Sequence, residues 1–300
     1  MYRVRNQLGC SERLQQSCKG EPVTVAVLDT GIYPHPDLAG RILAFQDFVN
    51  YRHGIYDDSG HGTHVAGCIG GSGMMSNGRY RGIAPKCLFC IGKVLNRNGE
   101  GSIDSMYHGL LWVMQNRLHH HIRVLNISVG IGQSDNRNKI EEVIGLLEAV
   151  WSSGIVVVCA AGNAGPKAGT ISPLGNSRKV ITVGCHEGGY FGNRSGLCES
   201  YSGRGDVSIL YRKPDIVAPG TDIVSCNNRG GNYAKKSGTS MATPIVSGAA
   251  ALLLQKCPYL NNEQIKRKMV YSAKDLGDDW NKQGWGMLDI GSLFSDEDKM

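Results

Sequence analysis

Hydrophobic positions along the chain fall into two textures. Pro22 to Leu28 is an unbroken, β-branched apolar run, the pattern of a strand buried on both faces as in a parallel sheet. Arg41 to Val49, Cys87 to Leu95, Val124 to Val129, Ile155 to Ala161, Val180 to Cys185 and Asp215 to Ala218 are further strand candidates. Between them the spacing changes to three and four. Ile103, Met106, Leu110, Val113 and Met114 form a helical stripe, with Ser102 placed to cap it. Helices are also expected from His61, over residues 138–152 and after Ser240. Another begins at Asn261, with Asn261 as N-cap, Gln264 completing a capping box, and Leu260 and Ile265 as a hydrophobic staple. Alternating strands and helices imply an α/β fold: a doubly wound, mostly parallel sheet with helices on both faces. Residues 1–20 lack a period and read as an N-terminal arm, 21–293 as one domain, and 294–300 as a polar tail.

Composition narrows the class. The chain has 300 residues, 41% of them hydrophobic, enough for one large core. Its 41 glycines and few aromatics suggest tight turns and close helix–strand packing. The net charge of +6 is spread along the chain, which argues against a nucleic-acid partner. No apolar run approaches the ~18 residues of a membrane span. Met1 to Gln16 is polar and mixed, so no secretory signal is expected there. Most of the 10 cysteines sit inside apolar runs. Free thiols in a reducing, cytoplasmic setting are therefore expected.

Four side chains carry the candidate chemistry. Ligands of such sheets bind beyond the carboxyl ends of the strands. Asp29 ends the first strand, Asn163 follows another, and His61 and Ser240 each open a helix. All four therefore belong to one rim. A serine hydroxyl attacks a carbonyl only when a base takes its proton, and histidine suits that task. A carboxylate orients the imidazole, and an amide with a backbone N–H can hold an oxyanion. The assignments are Asp29 as orienter, His61 as base and then acid, Ser240 as nucleophile and Asn163 as oxyanion donor. His64 reads as a packing and hydrogen-bonding residue.

The sequence resembles the subtilisin-like serine proteases, or subtilases. The matching text is Val25-Ala26-Val27-Leu28-Asp29-Thr30-Gly31-Ile32, His61-Gly62-Thr63-His64-Val65-Ala66-Gly67, Ala160-Ala161-Gly162-Asn163 and Gly238-Thr239-Ser240-Met241-Ala242-Thr243-Pro244. The order Asp, His, Ser is the subtilisin order. Tyr33-Pro34-His35-Pro36-Asp37-Leu38 and Tyr56-Asp57-Asp58-Ser59-Gly60-His61 look most like the AprX-type intracellular subtilisins. The resemblance implies a serine endopeptidase acting on polypeptides, with no organic cofactor. With only 28 residues before Asp29, the long prodomain of extracellular relatives is not expected within this chain. The alternative is a binding or regulatory module on the same fold, which predicts a missing triad member; none is missing.

The resemblance also implies the substrate side. Edge segments Gly99-Glu100-Gly101 and Ser128-Val129-Gly130 would flank an extended peptide. Val129-Gly130-Ile131 and Ala160-Ala161-Gly162 would wall the P1 pocket, with Ile171-Ser172 near its floor. No carboxylate lies there, so a neutral or apolar P1 is expected. Ile103 would line an apolar P4 site, and Glu100 would favour a basic residue at the rim. Many subtilases bind calcium, and Asp37 matches a family ligand position. The loop Gly73 to Tyr80 has no carboxylate and carries Arg79, a poor match to an oxygen cage, so no metal ligand is assigned, and calcium is left open, here or at a weaker site elsewhere. Cys87 and Cys90 read as core, and His119-His120-His121 as a solvated turn.

Overall fold

The computed structural model describes residues 1–130, 137–208 and 211–295. Two short helices, α1 (Tyr2–Gln7) and α2 (Glu12–Ser17), precede the body. Strands β1 (Thr24–Asp29), β2 (Ile42–Asp47), β3 (Leu88–Lys93), β4 (Ile122–Ile127), β5 (Val156–Ala160), β6 (Ile181–Cys185) and β7 (Ile216–Ala218) follow. They form one seven-stranded sheet in the order β2-β3-β1-β4-β5-β6-β7. Every pairing in it is parallel. The unbroken apolar runs have become strands with both faces covered, and all six residues of β1 are buried.

Helices α3 (His61–Gly70), α4 (Ile103–Asn116), α5 (Arg137–Ser152) and α6 (Thr239–Lys256) cover the sheet. Alternation along β1 shows the two layers. Leu28 points at Gly109 of α4, while the next residue, Asp29, points at Gly62 of α3. Helix α6 is apolar nearly all round and is the buried central helix; it packs against α3, β4, β5 and β6. Helix α7 (Asn262–Tyr271) has the expected capping box of Asn261 and Gln264. Ser102 caps α4 by accepting from Ser105 N. The chain closes with α8 (Trp280–Gln283) and α9 (Ile290–Ser295). Phe294 in α9 is buried, so the packed body extends past residue 293. Residues 296–300 of the expected tail lie outside the described residues.

Two features depart from expectation. An antiparallel hairpin, β8 (Ile223–Cys226) and β9 (Tyr233–Lys236), stands before α6. Each strand has only four residues and mixed polarity, too short to show alternation. The second departure corrects the expectation that all cysteines are free thiols: Cys185 and Cys198 are joined as a disulfide. Cys185 ends β6, and the loop from residue 186 returns Cys198 to within a Cα separation of 5.8 Å, inside the bridging range. The other eight cysteines are buried. They include Cys87 and Cys90, whose thiols burial pushes up to about 12.

Candidate active site

Asp29 is the last residue of β1, and β1 lies between β3 and β4. The chain places β2 at the edge and β3 between β2 and β1, then crosses to the other side of β1 with β4, which makes β1 the switch point of the sheet. His61 is the first residue of α3. Gly62 lets that helix end approach: a Cβ there would meet the Gly31 carbonyl and lie 3.2 Å from the Asp29 carboxylate. His61 Nδ1 and Asp29 Oδ1 are consequently 2.7 Å apart. Asp29 is fully buried and the imidazole is 23% exposed. The same Asp29 oxygen accepts from Thr30 N. Burial works against an imidazolium, but the Asp29 charge and hydrogen bond outweigh it, so the His61 pKa is raised above its ordinary 6.5.

The loop carrying His61 is held by Asp57. One Asp57 oxygen accepts from Thr30 Oγ1, Ser59 N and Gly60 N, and the other from Thr63 N and Oγ1. Burial opposes that charge, yet these bonds keep the carboxyl below its usual range. Fully buried Lys93 pins three segments: Nζ donates to Thr30 O, Asp58 Oδ1 and Leu95 O, each at 2.7 Å. None of this was assigned from sequence, although a lysine inside an apolar strand is a visible mark.

Ser240 is the second residue of α6, half-buried at its N-terminal turn, where backbone N–H groups lack helical partners. Gly238 caps the helix with φ +138°, a conformation that favours glycine. Asn163 Oδ1 accepts from Thr239 N and Thr239 Oγ1, both at 3.1 Å. A backbone N–H can pair only with the amide oxygen, so Asn163 Nδ2 is the donating end. Thr239 thus orients the oxyanion candidate, another role absent from the sequence reading. Among the described residues Ser240 and His61 share no hydrogen bond; apo sites often form that bond only with substrate. His64 is buried, with Nε2 at 3.0 Å from Ile223 O and 3.1 Å from Ala234 O. Burial lowers its pKa to about 3.

The substrate-side candidates separate into two groups. Ser172 N donates to Ala161 O and Ser172 Oγ to Ala160 O, both at 2.8 Å. Cβ positions built at Gly130 and Gly162 lie 3.9 and 3.5 Å from Ser172 Cβ. Gly130, Ala160, Ala161, Gly162 and Ser172 are therefore neighbours, with half-buried Val129 beside them. Ile131 lies outside the described residues. Ser128 is turned inward, accepting from Asn126 Nδ2, and Asn126 accepts in turn from Ser247 Oγ of α6. That tie links the candidate edge segment to the helix that carries Ser240. Gly99, Glu100 and Gly101 form an exposed turn closed by Asn96 N donating to Glu100 O at 2.7 Å. Ile103 opens α4 and is 8% exposed.

The residues around Asp37 do not fit calcium. Its carboxylate already accepts from Met75 N, Ser72 Oγ and Tyr233 Oη. The carbonyls of Gly78 and Arg81 accept from the Arg5 guanidinium. The adjacent group of His35, Asp37 and Cys226 offers imidazole and thiol, which are not calcium ligands.

The subtilase family model matches residues 20–286. Serine protease AprX of Bacillus subtilis (strain 168) is 40% identical over 296 residues, 93% of this chain and 66% of its own length. Subtilisin Savinase of Lederbergia lenta is 37% identical over 269 residues, covering 90% of this chain and 89% of its own. Among solved structures, Sphericase superposes with a TM-score of 0.81 at 27% identity, covering 95% of this chain and 96% of its own. A cold adapted subtilisin-like serine proteinase gives 0.69 at 30%, covering 91% and 89%. Sequence, sheet order and relatives agree, and the chain belongs to the subtilase family of serine proteases.

Proposed function

We propose that the chain is an endopeptidase that hydrolyses peptide bonds through a Ser240 acyl-enzyme. His61 takes the Ser240 proton as Oγ attacks the scissile carbonyl, then gives it to the leaving amine. Asp29 holds the imidazole and stabilises its charged form. Asn163 Nδ2 and the Ser240 N–H receive the developing oxyanion. A water molecule, activated by His61, releases the acyl group. The observation that carries this reading is the 2.7 Å Asp29–His61 pair, set on a rim where Thr239, the residue before Ser240, donates to Asn163 Oδ1. The experiment is labelling with a fluorophosphonate, which reacts with activated serines, followed by peptide mapping. Stoichiometric label at Ser240, absent from Ser240→Ala, is expected. A folded protein left unlabelled overturns the assignment.

The substrate is read as an extended polypeptide lying between Gly99–Gly101 and Ser128–Gly130. A neutral or apolar P1 residue is expected against Gly130, Ala160, Ala161, Gly162 and Ser172, none of which carries charge. Cleavage-site profiling on a denatured protein mixture tests this; a majority of Arg or Lys at P1 would sink it. A cytoplasmic setting is proposed with it, and the eight buried cysteines outside the disulfide are what supports that reading. The Cys185–Cys198 disulfide weighs the other way, and cell fractionation decides between them.

A further inference from the structure

The arm does more than cover the body. Arg3 Nη1 meets Glu187 Oε2 at 2.5 Å, and Arg3 Nη2 donates to Thr221 O at 2.7 Å. Gln7 Nε2, one helical turn on, donates to Glu187 O at 2.7 Å. The guanidinium also lies 5.0 and 4.9 Å from the ring centres of Tyr190 and Phe191. Glu187 is fully buried. Its other oxygen, Oε1, accepts from Gly220 N at 2.8 Å and Thr221 N at 2.6 Å. Gly220 O then accepts from Gly238 N at 3.0 Å. Gly238 is the N-cap of the helix that carries Ser240, and the next residue, Thr239, holds Asn163.

These contacts form a continuous path from the arm to the nucleophile. A buried carboxylate needs a cation, and Arg3 is its partner in an ion pair. Removing one member of such a pair leaves an uncompensated charge. Glu187 must then take up a proton or move, and either change alters the bonds that fix Gly220 and Thr221. Gly238 is a glycine at positive φ with no side chain to restrain it; its N–H is held by the Gly220 carbonyl, and its carbonyl accepts from Met241 N in the first turn of the helix, both at 3.0 Å, so a shift of Gly220 is passed to the helix start. An attacking atom displaced by a fraction of an ångström loses rate even in a protein that stays folded.

We propose that Arg3 and Glu187 are positioning residues for the nucleophile: docking of the arm fixes the Gly220–Thr221 turn, and through it Gly238 and the Ser240–Asn163 geometry. This rests on Ser240 being the nucleophile. The test uses the full chain with Arg3→Met, Glu187→Gln, Arg3→Gln, Arg3→Lys and the Arg3→Met/Glu187→Gln pair. The rate of Ser240 phosphonylation, kcat and KM are measured well below the unfolding temperature of each variant, itself measured in parallel.

Arg3→Met should lower the phosphonylation rate and kcat about tenfold or more, with a much smaller change in KM. The double variant should recover most of that loss, because a neutral amide oxygen still accepts from Gly220 and Thr221 without needing a cation. Wild-type phosphonylation in Arg3→Met, with only a lower unfolding temperature, overturns the proposal and leaves the arm as a staple. If Arg3→Met does not fold, Arg3→Gln is read instead: it loses the charge but keeps a donor for the Thr221 carbonyl. A reduced phosphonylation rate and kcat support the proposal, and wild-type values overturn it. Arg3→Lys, which keeps the charge, should stay nearer the wild type than either. Failure of the wild type itself to label would strike the nucleophile assignment, a separate outcome.

Discussion

At the scale of single residues, the site is a problem of proton placement. In the proposed mechanism His61 accepts the Ser240 proton only when neutral, and Asp29 raises its pKa above 6.5. The acid limb of kcat/KM should therefore have its midpoint above pH 6.5 and not below it. A pH–rate profile checks this, and a flat profile through that range would remove His61 as the base. The same pairing favours the folded state while His61 is charged. Its contribution is fully present below about pH 6.5 and is lost as pH rises through the raised folded value. Asn163→Ala should lower kcat roughly 10²–10³-fold with little change in KM, the range known for the oxyanion asparagine of subtilisin itself. Thr239 donates to the Asn163 oxygen from both its backbone and its hydroxyl, so loss of the hydroxyl alone should cost far less.

At the scale of elements, two helix starts and the ends of two strands must be brought to one rim. The α3 start is admitted by Gly62, whose missing side chain leaves room for the Gly31 carbonyl. Gly62→Ala should push His61 away from Asp29 and lower kcat/KM, read by steady-state kinetics on a folded variant. Beneath the same rim Lys93 joins the ends of β1 and β3 to the Asp58 loop. Lys93→Met should destabilise the fold by about 3 kcal/mol or more, because carbonyls and a carboxylate lose a buried cation. Urea unfolding measures it; an unchanged midpoint would mean that water replaces the ammonium.

For the molecule as a whole, His64 sets an acid limit. Burial holds it neutral to about pH 3, whereas the unfolded chain binds a proton near 6.5. Between those values the unfolded state carries more protons, so stability falls as pH falls. While the folded ring stays neutral and the unfolded one is protonated, the slope from this group is on the order of 1 kcal/mol per pH unit. His64 ring NMR shifts against pH provide the check: titration near 6.5 in the folded protein would refute the account. The arm and the Gly73–Tyr80 loop also belong to this scale. Arg5 of α1 reaches the carbonyls of Gly78 and Arg81, and Arg3 reaches Glu187, so residues 1–20 are built into the body at two distant places.

Local sequence determined a great deal here. Apolar runs without alternation had to become strands covered on both faces. Chemistry-bearing residues at strand ends and helix starts had to share one rim, because a parallel sheet puts those ends on the same side. That is why Asp29, His61, Asn163 and Ser240 could be picked out one by one as candidates. The tertiary structure alone decided what holds them. Lys93, Asp57, Thr239 and Asn126 act through partners that no periodicity relates to them. The β8–β9 hairpin depends on pairing between short mixed strands, and the Cys185–Cys198 bridge depends on the path of a loop. Spacing records which face a residue occupies within its own element. It carries no record of which group, from an element far away in the chain, will fill its remaining hydrogen bonds.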